Sequence, residues 1–290
     1  GFDDIAYFSG ITERDNTTGY LRYLQREIHV VFGGPSNATG TLGITDTGVV
    51  DTRIVFNGVV PFGPNSADVG RLIAIGDFNG DTCDDLAYVD DTWAPAGANR
   101  GAMGRVLVYF GSTTPAASVD AEDADVVLSS PQPPEDPAHP EYGPDSRRYW
   151  LNGFVLGNVD LNADGYVDLL VGERTKAKGF GAYDGFDMYT CGMFGIYGGP
   201  RVRSSYSLGE WSQRSAGDQD IYMHLASLDS HSSNPSPNLP YETGKRFRNC
   251  AAYGDFNGDH FDVVAICLDP TILGTHSQIM VFLGPLHKRV

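Results

Sequence analysis

A nine-residue acidic turn recurs in this chain, each time between two apolar segments. The first copy reads Asp77-Phe78-Asn79-Gly80-Asp81-Thr82-Cys83-Asp84-Asp85. The second reads Asp160-Leu161-Asn162-Ala163-Asp164-Gly165-Tyr166-Val167-Asp168. The third reads Asp255-Phe256-Asn257-Gly258-Asp259-His260-Phe261-Asp262-Val263. The three starts are 83 and 95 residues apart. The opening Gly1-Phe2-Asp3-Asp4-Ile5-Ala6-Tyr7 matches the tail of the same unit, with Asp4 equivalent to Asp85. A long-period repeat restricts the chain to architectures built from stacked, similar modules.

A second signature follows each turn. It is an apolar run ending in glycine: Val30 to Gly33, Val106 to Gly111, Phe194 to Gly198 and Met280 to Gly284. Each unit therefore reads as four strands. Strand one enters the acidic turn and strand two leaves it, as in 71–76 and 85–89. Strand three is the glycine-terminated run. Strand four is seen at 52–57 and 125–128. Near-continuous apolar runs suit strands packed on both faces. Short strands and tight turns in a long repeat predict an all-β propeller, each unit one four-stranded blade. The approximate repeats are 1–69, 70–149, 150–247 and 248–290, the first without its first strand and the last without its fourth.

Composition agrees. Charged residues are 20% of the 290, against 36 Gly and 17 Pro, which excludes a coiled coil or helical array. The 15 Tyr and 15 Phe exclude a disordered tail. No apolar run is long enough to span a membrane. The net charge of −17 repels phosphate backbones and excludes nucleic acid as a partner. The excess acid has two explanations, a solvated surface or carboxylates gathered around cations, and the in-phase aspartates favour the second.

The paired acidic loop and glycine-terminated strand resembles the FG-GAP repeat, found in the β-propeller of integrin alpha subunits. Similar repeats occur in a phospholipase D propeller, in fungal propeller lectins and in bacterial surface proteins. The resemblance covers nearly the whole chain, and it specifies a scaffold better than a ligand. It implies calcium held by side chains at positions 1, 3 and 5, a carbonyl at 7 and a carboxylate at 9. Oxygen-only donors with several charges suit a hard, flexible cation.

Carried onto this chain, the first site is Asp77, Asn79, Asp81, the Cys83 carbonyl and Asp85, with Thr82 where the pattern has Gly. The second is Asp160, Asn162, Asp164, the Tyr166 carbonyl and Asp168, with Gly165 in place. The third is Asp255, Asn257, Asp259, the Phe261 carbonyl and Asp262, whose last acid arrives one residue early. Either that loop tightens and Asp262 still binds, or the third site is weak. Two Ca2+ ions are expected and a third is open. Their expected role is to clip hairpins rigidly.

The resemblance also implies a larger ring, seven blades being usual. The missing strands would come from further sequence, another chain or a second copy. The chain starts at Gly1 without Met, so a precursor segment was removed or never supplied. Two sequons, at Asn16 and Asn37, together with calcium-type loops point to an extracellular, secreted or cell-surface glycoprotein. Cys250 and Cys267 flank the third loop and form either a disulfide or two buried thiols. Cys83 and Cys191 show no zinc spacing. The seven His have no metal-ligand spacing, and no catalytic fingerprint occurs, so no enzyme is expected.

Long segments at 131–150, 174–190 and 226–247 read as loops on the face opposite the acidic turns, where binding usually resides. Trp150, Tyr183, Phe186 and Tyr189 are their candidate ligand contacts. The functional expectation is adhesion or recognition of a protein or glycan. The alternatives are a carbohydrate-binding lectin, a structural subunit of an extracellular assembly, and the accessory propeller of a secreted hydrolase.

Overall fold

The apolar runs before and behind each complete acidic turn pair as an antiparallel hairpin, as their spacing requires. The computed structural model describes residues 5–14, 21–32, 52–56, 60–61, 73–90, 93, 104–129, 147–150, 155–178, 187–208, 217–227, 247–259, 261–268 and 278–285. The first unit contains β1 (Ile5–Arg14), β2 (Leu21–Val31), β3 (Thr52–Phe56) and β4 (Val60–Pro61). The second contains β5 (Ile73–Gly76), β6 (Asp85–Asp90), β7 (Arg105–Tyr109), β8 (Ser118–Asp120) and β9 (Val126–Ser129). The third contains β10 (Arg147–Trp150), β11 (Val155–Val159), β12 (Asp168–Lys178), β13 (Asp187–Ile196), β14 (Ser205–Ser207) and β15 (Ile221–Ser227). The fourth contains β16 (Phe247–Gly254), β17 (Val263–Leu268) and β18 (Gln278–Phe282). The protein is all-β in four small sheets, with one 3-10 turn, Ala121–Asp123, among the described residues.

The second unit shows the plan. The order β5-β6-β7-β9 is an antiparallel meander, with Leu86 opposite Tyr109 and Val106 opposite Leu128. Both β6 and β7 are buried at every position, the apolar stretches 86–89 and 106–109 as well as the charged ends Asp85, Asp90 and Arg105. The outer β9 alternates buried and half-buried residues. Successive residues of β6 serve opposite neighbours. Leu86 and Tyr88 pack with Ile28, Ile54 and Phe56 of the first sheet. Ala87 and Val89 join a core shared with Leu170 and Phe194 of the third sheet and Val264 and Ile266 of the fourth. The sheets thus share cores in chain order. Full burial of a side chain such as Phe194 contributes about 1.5–3 kcal/mol.

Two connections were not expected. The short β8 lies parallel to β3, and β14 lies parallel to β9. The second and third units each thereby lend a short strand to the outer edge of the unit before. This satisfies backbone groups that an exposed edge would leave open. A charged cluster adds a second tie between the first and second sheets. Asp90, 2% exposed, meets the Arg26 guanidinium at 3.2 Å and Arg105 at 3.4 Å. Arg105 reaches on to Glu122. Removing one partner from such a buried group strands the others without their charge.

The segment 174–190 departs from its reading as a loop. Strands β12 and β13 extend into it from both sides, from Leu169 opposite Ile196 out to Lys178 opposite Asp187. Its ends 174–178 and 187–190 are therefore paired strand. Strand β10 pairs with this extension, Trp150 standing opposite Arg174. The third sheet therefore reaches back to Arg147, slightly before the expected boundary. Tyr183, Phe186, Asn16 and Asn37 lie outside the described residues, as do the side chains of Trp150 and Tyr189. Cys250 and Cys267 follow the Ala251–Ile266 pair on adjacent strands, and their side chains also lie outside the described residues.

Candidate metal loops

In each loop the first aspartate folds back over the turn. The Asp77 carboxylate accepts from the amides of Gly80 at 2.8 Å, Asp81 at 2.9 Å and Thr82 at 2.9 Å. The Asp160 carboxylate accepts from Asp164 at 3.2 Å and Gly165 at 2.9 Å. Asp255 accepts from Gly258 at 2.7 Å and Asp259 at 3.0 Å. Positions 3 and 5 repeat as well. Asn79, Asn162 and Asn257 each donate from the side-chain amide to the acid two residues on. Asp81, Asp164 and Asp259 accept from the amides of Cys83, Tyr166 and Phe261. One recurring geometry thus gathers three oxygen-bearing side chains on each turn. Two carboxylates and an amide oxygen fit a hard cation.

The ninth position acts differently from the other three. Asp85 is 1% exposed and Asp168 is fully buried. Asp85 accepts from the amides of Phe78 at 2.9 Å, Asn79 at 3.2 Å and Gly111 at 2.8 Å. Asp168 accepts from Leu161 at 2.7 Å and Gly198 at 2.8 Å. These carboxylates tether the start of the loop to the glycine ending strand three, which explains why the two sequence signatures travel together. Burial nevertheless pushes Asp85 up to about 6 and Asp168 up to about 7, outweighing those donated hydrogen bonds. A carboxylate so disfavoured in its charged form gains from a nearby cation. The exposed Asp81 is lowered instead, by the Cys83 amide and the Asn79 side chain.

The third loop does not tighten to bring Asp262 into the ninth place. Gly284 stands against the Asp262 carbonyl as Gly111 does against that of Asp84 and Gly198 against that of Val167. Asp262 is thus at position 8, and buried Val263 fills position 9. The Asp262 carboxylate instead accepts from the Asp160 amide of the preceding loop at 3.0 Å.

No family model and no curated protein matches this chain. The site therefore rests on its own geometry. That geometry contains a second link between loops which the repeat pattern did not reveal. Gly199 donates to the Phe78 carbonyl at 2.7 Å, and the Tyr166 ring covers Gly80 and Gly199. The Cys83 thiol, free and half-buried, is pushed up by burial and by Asp81.

Position 4 is left-handed in all three loops: Gly80, Ala163 and Gly258 have φ of 78°, 63° and 74°. Position 6 is left-handed in the first two, Thr82 at 75° and Gly165 at 87°. Threonine is β-branched, and this region is costly for it. Replacing Thr82→Gly should stabilise the protein by about 1 kcal/mol, which urea unfolding at fixed calcium measures. An unchanged or lower denaturation midpoint would refute the strain.

Proposed function

We propose that the chain is a calcium-stabilised β-propeller of the FG-GAP type, extracellular, which recognises a protein or glycan ligand. The observation that carries this reading is the repeated loop geometry, with carboxylates at positions 1 and 5 and an amide at position 3 of each turn. Sharing of cores between sheets in chain order, with the second and third units each lending a strand to the one before, supports a radial arrangement. Further blades or a second copy would complete such a ring.

In this reading Asp77, Asn79 and Asp81 hold one ion, and Asp160, Asn162 and Asp164 a second. Bound calcium supplies positive charge that offsets the clustered carboxylates. The third loop retains Asp255, Asn257 and Asp259 but has Val263 where the others place a buried acid, so it is the weakest site. The acidic surface and the absence of any catalytic constellation in the sequence favour recognition over catalysis. Titration with Ca2+ should show two tight ions per chain, and Asp164→Ala should remove one of them. No heat of binding and no change in stoichiometry with this variant would overturn the reading.

A further inference from the structure

The first strands of three consecutive units border an open cleft of about 490 Å³. Its wall is built by a repeat rule. Ile75, Asn158 and Tyr253 each stand two residues before the first aspartate of their loop, and all three line this one cavity. Ile73 and Leu156 add apolar surface, and the acidic Asp84 also borders it. The strands meet closely here because glycines allow it. A Cβ on Gly157 would lie 2.7 Å from the Phe78 ring and 3.0 Å from the Ile75 carbonyl.

Asn158 departs from the strand conformation, with φ of 60° at an irregularity between Leu156 and Val159 in the pairing of β11 with β12. Such irregularities re-aim side chains. This one brings the Asn158 amide to donate to the Tyr253 hydroxyl at 3.3 Å. The pair then offers a ligand one acceptor, Asn158 Oδ1, and two donors, the second Nδ2–H of Asn158 and the Tyr253 O–H, while Asp84 offers further acceptors. Among the described residues no Lys or Arg lines the cavity.

We propose that this cavity binds a neutral, polyhydroxylated small molecule of monosaccharide size. Donors and acceptors side by side suit a ligand rich in hydroxyls, each of which both donates and accepts. Ile73, Ile75 and Leu156 suit the apolar face of a sugar ring, and the tyrosine ring adds a stacking surface. The volume lies within the usual range of small-molecule sites. Anions are disfavoured by Asp84 and by the net charge of −17. The inference rests on the recognition half of the reading above and is separable from its metal half.

The test is ligand-observed NMR and calorimetry on the calcium-loaded chain with neutral hexoses, their methyl glycosides and inositol. Glucuronate and a small diamine serve as controls. At least one neutral polyol should bind. Binding of a free hexose or of its glycoside each supports the proposal, the glycoside marking a glycan end as the source. Asn158→Gly, which suits the left-handed backbone, and Tyr253→Phe should each weaken binding about fivefold to tenfold. Both variants should keep the calcium stoichiometry. No neutral polyol binding, binding of the diamine or glucuronate alone, or affinity unmoved by both variants would overturn the proposal. Retained calcium binding in that event separates its failure from that of the propeller reading.

Discussion

Millimolar calcium should raise the thermal unfolding midpoint by roughly 10–20 °C over the same protein in excess chelator. Each ion held at a hundred times its dissociation constant stabilises the folded state by about 2.7 kcal/mol. Two sites give about 5 kcal/mol, and each kcal/mol moves the midpoint of a large domain by about 2–4 °C. The increment should also depend on pH. Burial raises Asp85 to about 6 and Asp168 to about 7. For a raised carboxyl the stabilising contribution is complete below the ordinary carboxylate range and is lost as pH rises through the folded value. The chelated protein should therefore lose stability progressively from about pH 4 to about pH 7, and calcium offsets that loss, so the increment widens as pH rises. Calorimetry at pH 5 and pH 8, with and without chelator, reads both effects. Midpoints coinciding in calcium and chelator at both pH values would remove the metal from the reading.

What the sequence made legible was whatever repeats in phase. Asp, Asn and Gly at fixed offsets marked the hairpins, and the apolar runs 86–89 and 106–109 marked β6 and β7. The glycine ending strand three was visible, but its reason was not. Only the structure shows Asp85 and Asp168 reaching back to Gly111 and Gly198. The parallel strands β8 and β14 escaped because Ser118-Val119-Asp120 and Ser205-Tyr206-Ser207 are too short and polar to show a period. The sequence left open whether the third loop tightens around Asp262, because register depends on the Gly284 contact with the Asp262 carbonyl, which only the structure displays. The cavity escaped for a related reason. Ile75, Asn158 and Tyr253 share a repeat position but no chemistry, so a search for similar residues passes over them. Contacts far apart in sequence, such as Arg26 with Asp90, carry no local signal at all.

Replacing Gly198→Ala should destabilise the protein by about 3 kcal/mol or more, beyond the usual cost of an added core methyl. The new Cβ would overlap the Val167 carbonyl and lie 2.9 Å from that of Phe78. Both obstacles are backbone, so neither can swing aside as a side chain would. The Phe78 carbonyl also accepts from Gly199, which joins the second unit's loop to the third sheet. Displacing it would loosen that junction and the Asp168 tether to the Gly198 amide together. Gly111→Ala meets the Asp84 carbonyl and should cost a similar amount. Gly284→Ala meets the Asp262 carbonyl at 2.5 Å and should cost less. Gly165→Ala is the control for backbone conformation alone. Its Cβ would have nothing within 4 Å, but φ is +87°, so about 1 kcal/mol is expected. Urea midpoints at saturating calcium should rank the variants in that order. If Gly198→Ala cost no more than Gly165→Ala, the end of strand three would not be clamped against the loop, and the link between the two repeated signatures would need another cause.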